Sequence, residues 1–391
     1  MQLDGLHKKV ALLGVAALSA GLLAACGSDS DTTASSDSTS SGASAAASSG
    51  SDNSAEVEAA KADLEGFLVK PTKINQTEPL TKPIPTDKPW VIITCELPAC
   101  KIIADGALDA AKTAGVPTKV LSYKTTDATT LTTSMKDALG MDPLAVSPIG
   151  FTQAVWDGLQ PQYKAKGVKI TPIAVGDTTP SDVVTEGSAS QVDYSRGGEL
   201  MANYVIADSG GTAKILLQDV PAFAVLKAYA DGFEKTIKSG CKACTISRLD
   251  LAPAQLASNG IVPAIVSALQ KDKSIDYLAT SDGAFLIGIN ASLKAAGLDG
   301  LKIVGGSPDV NNLKALQNDS QTAWTAAAED QYGWVALDII GRTLNGQEVA
   351  PAGGGRSTLV TTKENVGEPS SSGLDAPADY RDQYKKLWGL S

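Results

Sequence analysis

The sequence is constrained most by a repeated order of short apolar runs and helical stretches between Trp90 and Leu344. The first run, Trp-Val-Ile-Ile-Thr at residues 90–94, is apolar throughout, as is typical of a strand buried on both faces. A helical stretch follows at residues 102–114 and ends at Gly115, with Pro117 beyond it. Strand and helix in alternation predict mostly parallel sheets covered by helices on both faces.

The same order repeats through most of the chain. Further strands are expected at residues 118–122, 144–147, 168–175, 183–192, 214–217, 245–249, 277–280, 302–304 and 322–328. Helices are expected at residues 130–139, 152–166, 195–209, 222–238, 261–270, 284–296, 310–317 and 332–344. One sheet of that many strands would be unusually large. The expected fold class is therefore α/β, in two Rossmann-like lobes with parallel sheets, and a ligand is expected beyond the carboxyl ends of the strands.

The N-terminus has the pattern of an export signal. Lys8 and Lys9 precede an almost wholly apolar stretch, residues 10–25, which is short for a membrane span. It ends in Leu-Ala-Ala-Cys-Gly, which resembles the bacterial lipoprotein box and implies a signal peptide at 1–25 and lipid on Cys26. The alternative is an ordinary signal peptide with a chance cysteine. We expect an exported chain held at the outer face of the cell membrane by lipid alone.

A Ser-rich stretch follows the expected lipidation site. Residues 26–54 contain nothing more apolar than Ala after Cys26, and such a segment cannot bury enough surface to offset its ordering entropy. A flexible linker of this length has an r.m.s. span of roughly 30 Å. Residues 55–89 are expected to form a short amphipathic helix and then an irregular extension, because five prolines between residues 71 and 89 forbid regular structure.

Composition excludes several function classes. The net charge is −10, and lysines and arginines form no long run, which argues against nucleic acid as a partner. The single histidine, His7, lies in the expected signal peptide, so the mature chain lacks the residue of a Ser-His-Asp triad or a His-liganded metal centre. Phosphate-loop, nucleophile-elbow and dinucleotide motifs are absent as well. We expect no enzyme, no metal and no cofactor; a glycosidase with paired carboxylates is a remote alternative.

Four cysteines remain beyond Cys26, in two close pairs. An exported chain favours disulfides, and the local pairing would be Cys95 with Cys100 and Cys241 with Cys244. The alternative for the second pair is a redox Cys-x-x-Cys motif, but that motif is usually active at a helix start. Here it follows Lys-Ser-Gly at residues 238–240, which indicates a helix end.

Several local motifs occur in a characteristic order. They are Gly106-Ala107-x-x-Ala110-Ala111, Val146-Ser147-Pro148, Asp193-Tyr194-x-x-Gly197-Gly198, Asp231-Gly232-Phe233, Thr280-Ser281-Asp282 and Ile303-Val304-Gly305-Gly306-Ser307. Each is weak alone, but their order and spacing from about residue 88 to residue 349 resemble the ribose/sugar-binding branch of the type I periplasmic solute-binding proteins.

The resemblance implies a monomer of two lobes that close on a small molecule and deliver it to the permease subunits of an ABC importer. One lobe would comprise residues 90–190 plus 329–350 and the other residues 191–328, with residues 351–391 as a C-terminal strand and tail. Three hinge crossings are expected near residues 190–193, 306–308 and 327–329. A lipoprotein that presents its solute to a membrane sensor or kinase is the alternative, and the sequence does not separate the two.

The family's sugar-binding side chains are largely replaced. This chain has Tyr229 where the family has an arginine and Ser307 where the family has an aspartate after strand residues 303–305. Ser147 and Ser281 stand where the family has asparagines. Cys100 occupies a first-loop aromatic position and Ala327 the late glutamine position. A pocket that lacks Arg and Asp side chains able to bind two sugar hydroxyls each cannot hold a pentose or hexose in the usual way. The expected ligand is therefore less hydroxylated and partly apolar or aromatic, with a cationic group if Glu96, Glu329 or Asp330 faces the cleft.

The candidate ligand-binding residues share positions near the expected strand ends and helix starts. They are Glu96, Cys100, Ser147, Phe151, Asp193, Phe223, Tyr229, Ser281, Asp282, Phe285, Ser307, Trp324 and Ala327. Core packing is the alternative for the aromatic residues, hinge support for Asp193, and helix capping for Asp282.

Overall fold

The computed structural model describes residues 53–349, 358–369 and 377–390. The expected signal peptide, Cys26 and all but the last two residues of the Ser-rich linker lie outside the described residues. Parts of the expected C-terminal tail, residues 350–357, 370–376 and 391, do so as well.

The first lobe is built on a parallel sheet. Its strands are β1 (Trp90–Thr94), β2 (Thr118–Ser122), β3 (Ala145–Pro148) and β4 (Lys169–Ile170), in the order β2-β1-β3-β4. Its helices are α2 (Pro98–Ala114), α3 (Ala128–Leu139) and α4 (Gln160–Lys166). The first four residues of β1 are fully buried, as its apolar run predicts for a central strand.

The second lobe is built on a larger sheet. Its strands are β5 (Lys214–Asp219), β6 (Thr245–Asp250), β7 (Tyr277–Thr280), β8 (Lys302–Gly306), β9 (Ala323–Ala326) and β10 (Leu359–Thr361), in the order β10-β9-β8-β7-β5-β6. Only the pairing of β10 with β9 is antiparallel. Its helices are α5 (Gln191–Asp208), α6 (Ala224–Gly240), α7 (Pro253–Ala257), α8 (Ile261–Lys271), α9 (Ile289–Ala295) and α10 (Val310–Gln317). The expected α/β fold of two lobes with mostly parallel sheets is confirmed.

The chain passes between the lobes at two of the three expected places. It leaves the first lobe before α5, and it returns after β9 through residues 327–330 to helix α11 (Gln331–Asn345), which packs on α2. The crossing expected at residues 306–308 is wrong, because β8, α10 and β9 form one crossover within the second sheet. Strand β10, which follows α11 in the chain, pairs with β9 in the second sheet.

Two expected strands are largely replaced by other structure. The stretch expected at 168–175 keeps only β4 as a ladder, and that at 183–192 makes isolated bridges at Val184 and Ser188. Helix α5 begins at Gln191, because the Ser190 backbone N–H donates to Asp193 Oδ2 (2.8 Å) in a capping box. The capping signal therefore outweighs the apolar residues before it.

Both terminal segments contact the lobes. Helix α1 (Ser54–Leu64) packs along α5, and the Pro-rich stretch after it runs to β1. Helix α12 (Tyr380–Leu387), which the sequence did not suggest, packs on α11 and α2. Trp388, just beyond it, stacks on Trp334 with ring centroids 5.3 Å apart and an interplanar angle of 11°.

Candidate ligand-binding cleft

The carboxyl ends of the two parallel sheets meet, and aromatic side chains form the contact. Phe151 follows β3 in the first lobe and Phe223 follows β5 in the second, and their ring centroids are 6.3 Å apart in an edge-to-face arrangement. Tyr123, which follows β2, also contacts Phe151, with ring centroids 6.0 Å apart. We call these three residues the aromatic row; it crosses from one lobe to the other where ligands bind in sheets of this type.

A loop of the first lobe fixes Phe151. Gly150 and Phe151 both adopt left-handed backbone conformations, with φ values of 68° and 64°. The Asp177 carboxylate accepts hydrogen bonds from the Gln153 backbone N–H (2.6 Å) and from the Thr152 hydroxyl. A positive φ is strained for a phenylalanine, and it is held here by the hydrogen bonds that follow it, which aim the ring across the cleft.

Tyr123 is fixed by the same loop. Its hydroxyl donates to the Ile149 carbonyl oxygen (2.7 Å), and the side chain is buried. Burial, with the nearby Glu96 charge as a smaller cause, raises the pKa of Tyr123 far above its usual range. The phenol therefore stays neutral, and its ring meets that of Phe151 in an edge-to-face contact.

Glu96 lies in the loop after β1 and holds a charge near the row. Its carboxylate accepts from the Thr125 hydroxyl (2.7 Å) and the Thr125 backbone N–H (3.1 Å). Partial burial acts to raise the pKa of Glu96, but these hydrogen bonds outweigh it, so the pKa lies below the usual value. Glu96 is thus an exposed carboxylate whose orientation is fixed.

The second lobe has a buried polar cluster at its strand ends. Ser281 Oγ donates to Asp219 Oδ1 (2.6 Å), and Arg248 Nη2 lies 3.0 Å from Asp219 Oδ2. Burial raises the pKa of Asp219, although the Ser281 hydroxyl and the Arg248 charge oppose that effect. Ser281 is committed to Asp219 within its own lobe.

Asp282 follows β7 and caps a 3-10 turn. Its Oδ1 accepts from the Ala284 backbone N–H (2.8 Å), so the capping alternative describes what it does in this structure. Burial raises the pKa of Asp282 to about 7, the Ala284 hydrogen bond opposes the rise, and Asp309 adds to it. Because burial disfavours the ionised form of this half-buried acid, a neighbouring cation would stabilise that form.

The arginines that the structure describes are all bound to carboxylates. Arg196 pairs with Asp63 and Glu199, Arg248 with four acids that include Asp219, Arg342 with Asp338, and Arg381 with Asp109 and Asp330. Within the described residues, each guanidinium group is therefore already paired with a carboxylate of the protein. None is left free to bind two sugar hydroxyls at once.

Three candidates lie inside the lobes. Ser147 Oγ accepts from Trp90 Nε1 (2.9 Å), Trp324 Nε1 donates to Gln321 Oε1 (3.1 Å), and Tyr229 packs its ring edge against Gly197. Ser147 and Trp324 are fully buried, and Tyr229 is nearly so. The structure thus gives these three residues packing roles within their own lobes.

The other candidates lie near the strand ends. Phe285 is buried in the 3-10 turn Gly283–Leu286, and the Ser307 backbone, with φ 45°, accepts from the Gly283 N–H. Cys100 and Ala327 are buried. The structure therefore brings Phe151 and Phe223 together across the cleft, while Ser147, Tyr229 and Trp324 stay inside their own lobes.

The cysteines of each expected pair are adjacent. Cys95 and Cys100 have Cα atoms 5.5 Å apart, and those of Cys241 and Cys244 are 5.4 Å apart. Both separations are ones that a disulfide spans.

Sequence reasoning missed Tyr123 and Gln331. Gln331 opens α11 at the passage between the lobes; it is fully buried, and neither polar atom of its side-chain amide has a hydrogen-bond partner among the described residues. A buried, unpaired amide is costly unless a further group binds it. The signal was present, since Gln331 lies only four residues beyond Ala327, where the late glutamine of the resemblance was sought.

A pocket of about 450 Å³ lies beside the first passage between the lobes. It is lined by Gly176 and Glu186 from the first lobe and by Gln191, Val192 and Glu199 from the second, among others. No three acidic, histidine or cysteine side chains in the described ranges are grouped to hold a metal ion. None of the helices described here is both long enough and apolar enough to cross a bilayer.

Known proteins share this architecture. The model of the periplasmic binding protein domain family matches residues 98–348. A glucose-galactose binding protein from Geobacillus stearothermophilus superposes with a TM-score of 0.63 at 16% identity, over 72% of this chain and 99% of that one. A 5-methylthioribose transporter solute-binding protein from Thermotoga lettingae gives 0.63 at 14% identity, over 80% and 99%. At these identities the likeness shows the fold. No curated protein sequence matches the chain.

Proposed function

The chain belongs to the family of periplasmic binding protein domains, and on that premise we propose that it is an extracytoplasmic lipoprotein that captures a small solute between its lobes and delivers it to an ABC importer. Its lobes would be residues 90–190 plus 329–350 and residues 191–328, with β10 added at the edge of the second lobe's sheet. The family relation supports a binding role rather than a catalytic one, and the lipoprotein box supports lipid on Cys26 with residues 26–54 as the tether.

The observation that carries this proposal is the aromatic row. Phe151 and Phe223 belong to different lobes, and they touch only when the lobes are together. A solute that packs against both rings gains both contacts in the closed form alone, so its binding energy favours closure by that difference. Burial of one aromatic side chain's worth of surface is worth about 1.5–3 kcal/mol, which is enough to shift an opening equilibrium more than tenfold.

The solute we propose is less hydroxylated than a pentose or hexose and partly apolar or aromatic. Two observations support this: the cleft has aromatic rings on both lobes, and the arginines of the described part of the chain are bound to carboxylates. Glucose-galactose and 5-methylthioribose are named for the structural neighbours, but those proteins share only 14–16% identity with this chain. Of the two, the methylthio-substituted ribose has the more apolar chemistry that this cleft favours.

The test begins with the protein purified without denaturation. Native mass spectrometry should show a bound small molecule whose mass is lost on denaturation, and the released compound should raise the thermal midpoint when it is added back. Phe223→Ala should weaken that binding at least tenfold. Leu344→Ala, a partly exposed apolar position at the end of α11, is the matched control and should leave it unchanged.

Two results would overturn parts of the proposal. Stabilisation by common free sugars alone would refute the apolar solute class. A protein that binds no small molecule with or without Phe223 would refute the solute-capture role itself.

A further inference from the structure

The N-terminal extension is bound to both lobes. We call residues 53–89 the strap. Its helix α1 lies on α5 of the second lobe, where Asn53 Nδ2 donates to the Gly211 carbonyl (3.0 Å). The Glu56 carboxylate accepts from the Lys242 backbone N–H (3.1 Å) at the start of the loop that contains the second cysteine pair. The end of the strap that continues into the Ser-rich linker is thus bound to the second lobe.

Polar side chains bind the other end of α1 to α5. Asp63 accepts two hydrogen bonds from Arg196 (2.7 and 2.9 Å) and one from Asn203 (2.6 Å). The Arg196 guanidinium lies over the Phe67 ring, 5.0 Å from its centroid. The hydrogen bonds from Arg196 lower the pKa of Asp63 against the effect of burial, so the Asp63–Arg196 pair is charged at neutral pH.

The rest of the strap is bound to the first lobe. Arg342 on α11, itself buried and paired with Asp338, donates to the Glu78 carbonyl. The Leu80 N–H donates to the Leu387 carbonyl (2.8 Å) at the end of α12. This half of the strap is therefore fastened to buried groups of the first lobe.

A short link joins the two halves. The Leu68 carbonyl accepts from Asn365 Nδ2 (2.9 Å), just beyond β10 of the second lobe, and the Thr72 carbonyl accepts from Gln383 Nε2 (3.0 Å) on α12 of the first. Four residue steps span at most about 14 Å when fully extended. A movement of the lobes that pulls these attachments apart must therefore be absorbed within this link or must release one half of the strap.

The half on the second lobe is the weaker one. Only Ala60 and Leu64 of α1 are buried, and the side chains of Asp63 and Arg196 remain about one-third exposed. Ion pairs at such positions contribute little, so α1 is the part that yields first.

We propose that the strap is a conformational clasp that holds the lobes together while α1 is docked and lets them open when α1 is released. The proposal rests on the two-lobed closure described above. In this proposal, a segment outside both lobes and next to the linker controls the equilibrium between the open and closed forms. Because docking and closure favour each other, weakening α1 must raise the open population even without solute.

The test uses the mature chain without solute and measures the distance between a label on each lobe. Lys136→Cys on α3 and Lys271→Cys on α8 provide exposed attachment points. Asp63→Ala should raise the population of longer distances about two- to fivefold, as expected from the loss of an ion pair of this exposure. Glu58→Ala is the matched control, because Glu58 is on the same helix but pairs only with exposed Lys61 (2.9 Å).

Leu64→Ala gives an independent reading, since it loosens α1 without changing a charge. The proposal requires both Asp63→Ala and Leu64→Ala to lengthen the distances relative to Glu58→Ala, with unchanged circular dichroism of the body. If either variant matches the control while α1 is shown by proteolysis to be released, the clasp is refuted. This outcome is separate from solute binding, because a chain that binds no solute would still show the effect of the strap.

Discussion

The substitution Gly176→Ala should hold the lobes apart without disturbing either of them. Gly176 lies in the first lobe after β4, and its backbone abuts the first turn of α6 in the second lobe. A Cβ atom added there would lie 2.5 Å from the carbonyl carbon of Ala224 and 2.5 Å from the backbone nitrogen of Val225. Both neighbours are backbone atoms, so no side-chain rotation relieves the overlap.

The size of the effect follows from that distance. Carbon atoms in contact rest at about 3.5 Å or more, so the lobes would have to retreat by roughly 1 Å at this point. Overpacking of this kind costs about 1–3 kcal/mol. Because only the closed form contains the contact, the cost acts on the closed form and lowers its population, and with it the solute affinity, by about 5–150-fold.

The assay is the distance between Lys136→Cys and Lys271→Cys labels, together with titration of the solute released from the native protein. Gly158→Ala is the control, because a Cβ at Gly158 meets no atom within 4 Å. Wild-type distances and wild-type affinity in Gly176→Ala would refute the reasoning. A large loss of thermal stability would refute it as well, since no contact inside either lobe changes.

Three further outcomes are expected. Trp334→Ala removes the ring on which Trp388 stacks and should destabilise the protein by about 3–5 kcal/mol in urea titrations; a change below 1 kcal/mol would show that the C-terminal segment does not depend on this contact. Replacing Cys95 and Cys100 together by Ser should cost about 2 kcal/mol under oxidising conditions and nothing under reducing ones; equal loss in both would contradict a disulfide. The folded-state pKa of Asp282 is raised to about 7 from 3.8, so the folded protein binds the extra proton between these values and stability should fall as the pH rises from 4 to 7. Asp282→Asn, which keeps a capping side chain, should flatten that slope in thermal scans, and an unchanged slope would contradict the assignment.

Local signals predicted most of the elements correctly. The apolar run at β1 and the helix end at Gly115 are read from neighbouring residues, and the structure confirms the strand and a left-handed glycine cap with φ 71°. The capping box of Ser190 and Asp193 was equally local, but an apolar stretch was given more weight there, and the strand expected up to residue 192 was wrong. Helix α12 was missed because its stability comes from packing on α11, which a local pattern does not show.

The site was only partly predictable for the same reason. Phe151 and Phe223 follow central strands, so their place at the carboxyl edge could be expected from the order of elements. Tyr123 follows an edge strand, and only the bond from its hydroxyl to Ile149 brings its ring into the row. Trp324 lies within β9, and its side chain is buried in the core, where its Nε1 donates to Gln321 Oε1.

By itself the sequence determined the alternation of strands and helices and the two mostly parallel sheets. These depend on periodicity, capping and composition, which act over a few residues or over the whole chain. Only the tertiary structure decided where the chain passes between the lobes, which aromatic rings meet across the cleft, and that residues 53–89 fasten both lobes. Those features come from contacts between residues tens to hundreds of positions apart. Such contacts are formed by packing, which leaves no local pattern in the sequence.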